Sequence, residues 1–453
     1  MDNYVESDLK YIWHPCSQMK DYEDLKPIVI EKGKGVWLYD INGNKYLDCI
    51  SSWWTNTLGH SNKRINEAIK KQIDNIEHVI FANFSNKPAI ELAEKLVEIT
   101  PDGLNKVFFS DNGSSAVEIA LKMSFHYNMQ RGKIKKKRFL ALSDAYHGET
   151  LGALSVCDID EFNRVYKPLL LDTIRVEGPD CYRCKYGYER CSCNAECFIN
   201  MEKCIEKMCE EISAIIVEPM VQGAAGMKIY SPIYLKKLRN ICKKYDIHLI
   251  ADEIAMGFGR TGKMFACNHA EINPDFMCLS KGITAGYMPM SVVMTTDEVY
   301  DCFYGDYNER KAFVHSHTYS GNAMACAVAL ESLKIFKDNN IIDNNREKGK
   351  LIRKLTLQRA KTLKYVGEVR SIGMITAIEI VKDRETKESY PLDIRIGYGI
   401  YKIALKKGLL LRSIGNVLYF IPPYIISKQE IEFMVNTCFD SIEEYFYYNV
   451  NLM

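Results

Sequence analysis

Residues 247–282 read IHLIADEIAMGFGRTGKMFACNHAEINPDFMCLSKG. Two short apolar runs, Ile247–Asp252 and Asp275–Ser280, bracket a glycine-rich stretch, Gly257–Gly262. Apolar runs this short, without polar alternation, are the pattern of strands covered on both faces, as in a parallel sheet. Each run ends in residues that can do chemistry: Asp252-Glu253 after the first, Lys281-Gly282 after the second. Ligands of open α/β sheets sit beyond the carboxyl ends of the strands, so both positions are site candidates.

The same grammar extends outward. KVFFS (Lys106–Ser110) precedes an amphipathic stretch from about Ser114 to Arg131, and RFLAL (Arg138–Leu142) follows. SAIIVEP (Ser213–Pro219), a helical pattern near Pro232–Tyr245, and MSVVMT (Met290–Thr295) continue it. Strands alternating with helices predict an α/β fold around a mostly parallel sheet. The two ends of the chain read differently. GVWLYDINGNKYLDCI (Gly35–Ile50) carries an Asn-Gly turn between alternating runs, a hairpin signal. After a helical region at Gly321–Lys337, Val366–Ile380 and Leu409–Pro423 each read as strand–turn–strand. The expected organisation is a large α/β domain over residues 61–335. A smaller α+β domain is expected from residues 1–60 and 336–453.

Composition narrows the function. The chain has 453 residues, with 59 Lys and Arg against 58 Asp and Glu, a formal charge of +1. Near-neutrality disfavours nucleic acid or an anionic membrane as partner. No uninterrupted apolar stretch approaches the roughly 18–20 residues of a membrane helix. The start, MDNYVESDLK, carries acids and no apolar segment, so the sixteen cysteines read as reduced thiols in a cytoplasmic protein. The one basic run, Lys133–Arg138 (KIKKKR), reads as a solvated surface loop.

KVFFS runs into Asp111-Asn112-Gly113-Ser114-Ser115 and then a helix. Free amides, glycine and hydroxyls at a helix start suit a phosphate, although Asn and Ser there are also ordinary caps. Asp252 and Lys281 at neighbouring strand ends read as a salt bridge or, with a phosphate cup, as the minimum set for pyridoxal phosphate. The lysine forms a Schiff base, the carboxylate keeps the pyridine nitrogen protonated, and the helix start holds the phosphate. An adjacent opposite charge shifts a pKa by about 1–3 units, enough for that task.

The segment Asp252–Pro289, DEIAMGFGRTGKMFACNHAEINPDFMCLSKGITAGYMP, resembles the signature of class III pyridoxal-phosphate aminotransferases, enzymes of fold type I. The resemblance covers essentially the whole chain, through SDNGSSAVEIALKM (Ser110–Met123), AYHGETLGALSV (Ala145–Val156) and HSHTYSGNAMACAVAL (His315–Leu330). IWHPCSQMKDYE (Ile12–Glu23) and the Trp pair in SSWWTNTLGH (Ser51–His60) are most similar to the members that serve biotin synthesis. The resemblance implies roles residue by residue. Lys281 would carry the cofactor and act as the catalytic residue, with Gly113 and Ser114 on its phosphate. Tyr146 would stack on the pyridine ring with His147 beside it, Asp252 would pair with the ring nitrogen, and Glu218 would lie nearby. Thr318 would reach the cofactor phosphate of a neighbouring subunit, which implies a homodimer with active sites at the interface. Trp53, Trp54, Tyr146 and Ser316 would line the substrate pocket, with Arg412 clamping a carboxylate in the bidentate manner suited to guanidinium.

The implied reaction is transamination of 7-keto-8-aminopelargonic acid to 7,8-diaminopelargonic acid, with S-adenosylmethionine as donor. Lysine as donor, or a class III reaction on ornithine, 4-aminobutyrate or a diamine, is the alternative. A metal-binding interaction protein on an inactive scaffold is the non-enzyme reading. Each residue also has a plainer role open to it. The Trp pair fits a core or an interface, Tyr146 a packed aromatic, Arg412 a structural ion pair, and Glu218 the end of its strand. Two departures stand out: Cys16 where the family often has an aromatic, and Glu149 where Asp is common. The cluster Cys181-x2-Cys184-x6-Cys191-x-Cys193-x3-Cys197 contains one zinc-type half-site but no second Cys-x2-Cys. Reduced thiols in a surface loop, without metal, are the expectation.

Overall fold

The computed structural model describes residues 3–449. Toward the amino end, β1 (Ile30–Lys34), β2 (Trp37–Asp40) and β3 (Lys45–Asp48) form an antiparallel meander. The β2–β3 turn is the expected Asn-Gly segment. Asp40 Oδ1 accepts from the amides of Asn42 and Asn44 at 2.9 and 2.8 Å, locking the turn through its own side chain.

The centre is a seven-stranded sheet. Its strands are β4 (Lys106–Ser110), β5 (Arg138–Leu142), β6 (Thr173–Val176), β7 (Ile212–Val217), β10 (His248–Asp252), β11 (Phe276–Leu279) and β12 (Ser291–Thr295). A short pair, β8 (Val221–Gln222) with β9 (Lys228–Ile229), lies outside it. The order is β4-β12-β11-β10-β7-β5-β6, with β12 antiparallel to both its neighbours and the other pairings parallel. All residues of β7, β11 and β12 are buried. Alternate side chains divide between two apolar layers. Ala214, Ile216 and Ile250 pack with the helix Gly113–Gln130, while Ile215, Val217 and Leu249 pack with the helix Pro232–Lys244. Two-sided cover explains the unbroken apolar runs, each large aliphatic contributing about 1.5–3 kcal/mol on burial. Because β4, β7, β10 and β11 point the same way, their carboxyl ends converge on one edge of the sheet.

The carboxyl-terminal part holds β13 (Val366–Ile372), β14 (Ile375–Ile380), β15 (Leu409–Leu410), β16 (Ser413–Ile414) and β17 (Val417–Phe420). The first hairpin, β13–β14, is as expected. The Leu409–Pro423 hairpin is shorter than expected, because only β16 and β17 pair with each other. β15 instead joins β3 in parallel, Leu409 opposite Leu47 and Leu410 opposite Asp48. The edge of β3 needs acceptors for its amides, and the Gly408 carbonyl takes the Leu47 N–H at 2.9 Å. Chain segments from both ends thus share a sheet.

The basic run is a second correction. Lys136 is buried, its Nζ donating to the carbonyls of Asp246 and Tyr245 at 2.8 and 3.2 Å. Carbonyls past the end of the helix Pro232–Lys244 lack intrahelical donors, and this lysine supplies one. All sixteen cysteines are unpaired. Cys181, Cys184, Cys193 and Cys197 line one cavity of about 200 Å³. Among the described residues no group of three or more His, Cys, Asp or Glu is placed to hold a metal ion. Burial pushes the Cys181 thiol up to about 12 and the Cys197 thiol to about 11. No described helix is long and apolar enough to cross a membrane.

Candidate active site

Three strand ends supply the floor of the cleft. Asp252 closes β10, Glu218 follows β7, and Lys281 lies just past β11 with a left-handed φ of 45°. The Asp252 Oδ1 accepts the Ile254 N–H at 3.1 Å, and Oδ2 meets Nδ1 of His147 at 2.8 Å, both side chains almost wholly buried. His147 therefore fixes the carboxylate's orientation, a contact that the sequence placed only as "beside Tyr146". Glu218 accepts from the amides of Gly223 and Tyr146 at 2.8 and 3.1 Å. Burial pushes its carboxyl up to about 7; His147 opposes the rise and Asp252 adds to it.

Lys281 is enclosed by protein yet retains accessible surface, as befits a side chain on a cleft floor. Burial depresses its ammonium to about 8, against the opposing pull of Asp252 and Glu218, and Arg260 lowers it further. No carboxylate lies within 4 Å of Lys281 Nζ among the described residues. A lysine partly neutral near physiological pH and free of an ion pair is a nucleophile and a proton carrier. The salt-bridge reading of Asp252 with Lys281 thus fails on distance.

The start of the helix Gly113–Gln130 forms a cup of amides and hydroxyls. Asn112 caps it by accepting from Ser115 N at 3.0 Å. The amides of Gly113 and Ser114, in the first turn, have no intrahelical acceptor. Ser114 Oγ accepts from Glu149 N and Thr150 N at 3.1 and 3.0 Å and lies 2.9 Å from Thr150 Oγ1. This brings the Tyr146–Thr150 loop against the helix start. Gly148 permits that approach: its φ is +125°, and a Cβ there would sit 2.4 Å from Ser114 Oγ. Hydroxyls, free amides and a helix N-terminus fit an anionic phosphate, and Asp252 with Lys281 fits the pyridine ring and aldehyde of pyridoxal phosphate. Tyr146 presents its ring from the same loop, its hydroxyl donating to Glu149 at 2.7 Å.

The rim is built from unusual backbone. Ser51, Ser52, Trp53 and Trp54 all have left-handed φ, between 45° and 70°, and form a left-handed turn closed by Trp54 N to Ile50 O at 2.8 Å and Thr55 N to Ser51 O at 2.9 Å. Each such non-glycine residue in a left-handed helical run costs about 1–2 kcal/mol. The turn sends adjacent tryptophans in two directions. Trp54 is buried, donates through Nε1 to the Tyr419 hydroxyl at 3.3 Å, and lies 4.6 Å from Lys281 Nζ. Trp53 is 42% exposed, with the Arg412 guanidinium over its ring at 4.4 Å. Arg412 follows β15 and makes no ion pair among the described residues, so its charge is available for a ligand. Cys16 belongs to this rim: burial raises its thiol pKa, with Arg412 pulling it down and Glu149 pushing it up.

Ser316 and Thr318 stand apart. Both are exposed, on a segment without regular structure that His317 ties to Asp111 at 2.8 Å. Neither hydrogen-bonds another site residue within this chain, among those described. Two residues at the site carry no role in the sequence reading. Arg260 is 1% exposed, and its guanidinium donates to the Trp54 carbonyl at 3.1 Å. Asp48 is fully buried beneath the Trp turn. An arginine inside a Gly-rich turn was a legible signal. Asp48, one acid at a hairpin end, offered none.

Comparison with known proteins bears on this arrangement. The profile of a family described as Aminotransferase class-III matches residues 18–442. The adenosylmethionine-8-amino-7-oxononanoate aminotransferase of Geobacter sulfurreducens is 46% identical over 430 residues, covering 95% of both chains. The crystal structure of the like-named enzyme of Methanocaldococcus jannaschii superposes with a TM-score of 0.92 at 43% identity, covering 97% of this chain and 98% of that one. An omega transaminase of Pseudomonas jessenii, solved in complex with PMP, gives 0.93 at 33% identity, with 98% of each chain covered.

Proposed function

The chain belongs to the class III aminotransferases, and we propose on that basis that it moves an amino group from a donor to 8-amino-7-oxononanoate, yielding the 7,8-diamino acid of biotin synthesis. The fold is the α/β fold type I of that class, and the cofactor is pyridoxal phosphate. The observation that carries the reading is the floor of the cleft. A partly enclosed lysine, its ammonium depressed to about 8 and without an ion pair among the described residues, ends one strand of the sheet where a buried, histidine-oriented aspartate ends the next, in a chain 46% identical along 95% of its length to an enzyme of that name.

The cofactor, when bound, supplies an electron sink that lets an amino group leave one carbon and join another. The chain's residues do the rest. Gly113 and Ser114 would hold the phosphate through amides and a hydroxyl, and Tyr146 would provide an aromatic neighbour for the ring. The Asp252 carboxylate, oriented by His147, would keep a proton on the ring nitrogen by its adjacent charge. Lys281 Nζ would anchor the cofactor and, as a free amine, would hold and pass on the proton that the reaction moves. Its depressed pKa leaves it a working neutral fraction. Trp54 beside Nζ excludes water, and Trp53 with Arg412 receives the carboxylate end of the acceptor.

S-adenosylmethionine is the donor this reading favours, because the relatives of Geobacter sulfurreducens and Methanocaldococcus jannaschii are named for adenosylmethionine. A homodimer is the assembly it favours. Exposed Ser316 and Thr318 need a second subunit to meet a site, and Val314 (90% exposed), Phe84 and Tyr319 leave apolar surface nearby. A reducing cytoplasm suits sixteen unpaired cysteines.

The deciding assay supplies 8-amino-7-oxononanoate with S-adenosylmethionine or with lysine, and follows the diamine by mass spectrometry. Product is expected with S-adenosylmethionine. Product with lysine alone reassigns the donor, and no product with either overturns the proposed acceptor.

A further inference from the structure

Asp48 closes β3 and is fully buried, an expensive place for a carboxylate. Its Oδ1 accepts from the amides of Ser52 and Ile50 at 2.9 and 3.3 Å, and its Oδ2 accepts the Ser52 hydroxyl at 2.7 Å. Oδ2 also meets His60 Nε2 at 3.0 Å, while His60 Nδ1 lies 2.9 Å from Asn56 Nδ2. On the opposite side stands Arg260, likewise buried and without a carboxylate partner among the described residues. Its guanidinium donates to the Trp54 carbonyl at 3.1 Å, and to Ser51 Oγ and the Pro422 carbonyl, each at 3.3 Å.

Between these two charges lies the left-handed turn Ser51–Trp54. In a single helical turn the first amides and the last carbonyls lack partners, and the peptide dipoles favour an anion at the amide end and a cation at the carbonyl end. That is the arrangement present: a carboxylate on the Ile50 and Ser52 amides, a guanidinium on the Trp54 carbonyl. Four consecutive non-glycine residues do not hold this conformation unaided. The fold imposes it: the two buried charges bind its two ends, while Ser51 Oγ donates to the Ile421 carbonyl at 2.6 Å and Trp54 Nε1 to the Tyr419 hydroxyl at 3.3 Å.

We propose that Asp48 is a positioning residue for the reaction, its buried carboxylate acting against Arg260 to hold the left-handed turn that aims Trp54 at Lys281 and Trp53 at Arg412. The role deepens the proposed function and rests on it for its substrate readout, since the Trp53–Arg412 pair is where the acceptor carboxylate binds. A residue that only supports folding would lower the number of working sites and leave their affinity alone. A positioning residue alters affinity in sites that remain loaded.

The test uses the cofactor-loaded enzyme. Asp48→Asn keeps the volume and removes the charge; the KM for 8-amino-7-oxononanoate is expected to rise about tenfold, with kcat within about threefold of the parent and the cofactor absorbance unchanged. Ser52→Ala removes one contact at an exposed position and is expected to raise the same KM about threefold. Adding Ser52→Gly to Asp48→Asn supplies a residue that adopts positive φ without strain, so part of the lost affinity returns. A lower kcat at unchanged KM, with no recovery from the glycine, overturns the proposal. If Asp48→Asn does not fold, an unchanged KM in Ser52→Ala overturns it alone. Near-ultraviolet circular dichroism reports the indole surroundings without any substrate. A wild-type enzyme inert toward the acceptor therefore refutes the functional reading, while an unaltered indole spectrum in the variants refutes this one.

Discussion

The floor of the cleft and its rim solve the same problem by opposite means. On the floor, Asp252, Glu218 and Lys281 each follow a strand of one sheet, and strand direction alone brings them to a common edge. On the rim, Trp53, Trp54 and Arg412 come from the two ends of the chain, joined where β15 pairs with β3 and where the backbone turns left-handed. The floor is therefore placed by topology, and burial shifts the proton affinities of Glu218 and Lys281. The rim is a left-handed turn with a buried carboxylate at one end and a buried guanidinium at the other, and beside it lies Arg412, without an ion pair among the described residues. The difference predicts that floor substitutions act on turnover and rim substitutions on affinity.

The sharpest way to break that division is at Lys281. In the proposed function Lys281→Ala removes both the anchor and the proton carrier, and turnover is expected to fall by at least about 10³-fold, in line with the weight of positioned acid–base groups. The melting temperature should hold or rise, because an ammonium that burial disfavours has been removed. Retained turnover above a hundredth of the parent rate would show that the floor does not work through this residue.

Arg412→Ala probes the other side. Its guanidinium has no carboxylate partner in the described chain, so removal leaves no buried charge behind. Losing a charge-assisted pair with the acceptor carboxylate costs about 1.5–3 kcal/mol, hence roughly a 10–100-fold rise in KM with little change in kcat. A matching loss in kcat instead would place Arg412 among the groups felt only in the transition state and would blur the division between rim and floor.

The two regions were also unequally legible. Apolar runs ending in Asp252 and Lys281 name the floor because parallel strands obey simple rules, and the Asn112–Ser115 segment reads as a helix start for the same reason. Trp53, Trp54 and Arg412 were placed only through family resemblance. No local rule announces that Ser51–Trp54 turns left-handed without a glycine, and the Leu409–Pro423 segment gives no sign that its first two residues pair with β3 across some 360 positions. Lys136 failed for a related reason: a lysine in a basic run looks solvated until the helix carbonyls it caps are in place. Arg260, inside a Gly-rich turn, was open to notice, whereas Asp48 contacts the Ile50 and Ser52 amides, and such contacts leave no pattern in a single sequence.

The smallest expected effect sharpens the electrostatics of the floor itself. Lys281 is depressed to about 8 from an ordinary 10.5, burial outweighing Asp252 and Glu218. With a lowered folded value, its favourable share of stability is present above 10.5 and is lost as pH falls through about 8. Glu218 is raised to about 7 from 4.5, so its share is present below 4.5 and is lost as pH rises through about 7. Above pH 7 the Glu218 carboxylate is ionised and props up the lysine's proton affinity. Glu218→Gln removes that prop, so the midpoint of Lys281 should move below about 8. The rate at which cofactor-free protein takes up pyridoxal phosphate, which needs the neutral amine, should then reach its plateau at lower pH. The variant should also gain stability relative to the parent as pH is raised from 4.5 to 7, read from melting temperatures. An uptake midpoint that stays put or moves upward would mean that Glu218 does not address Lys281, and that burial with Asp252 alone sets the lysine's charge.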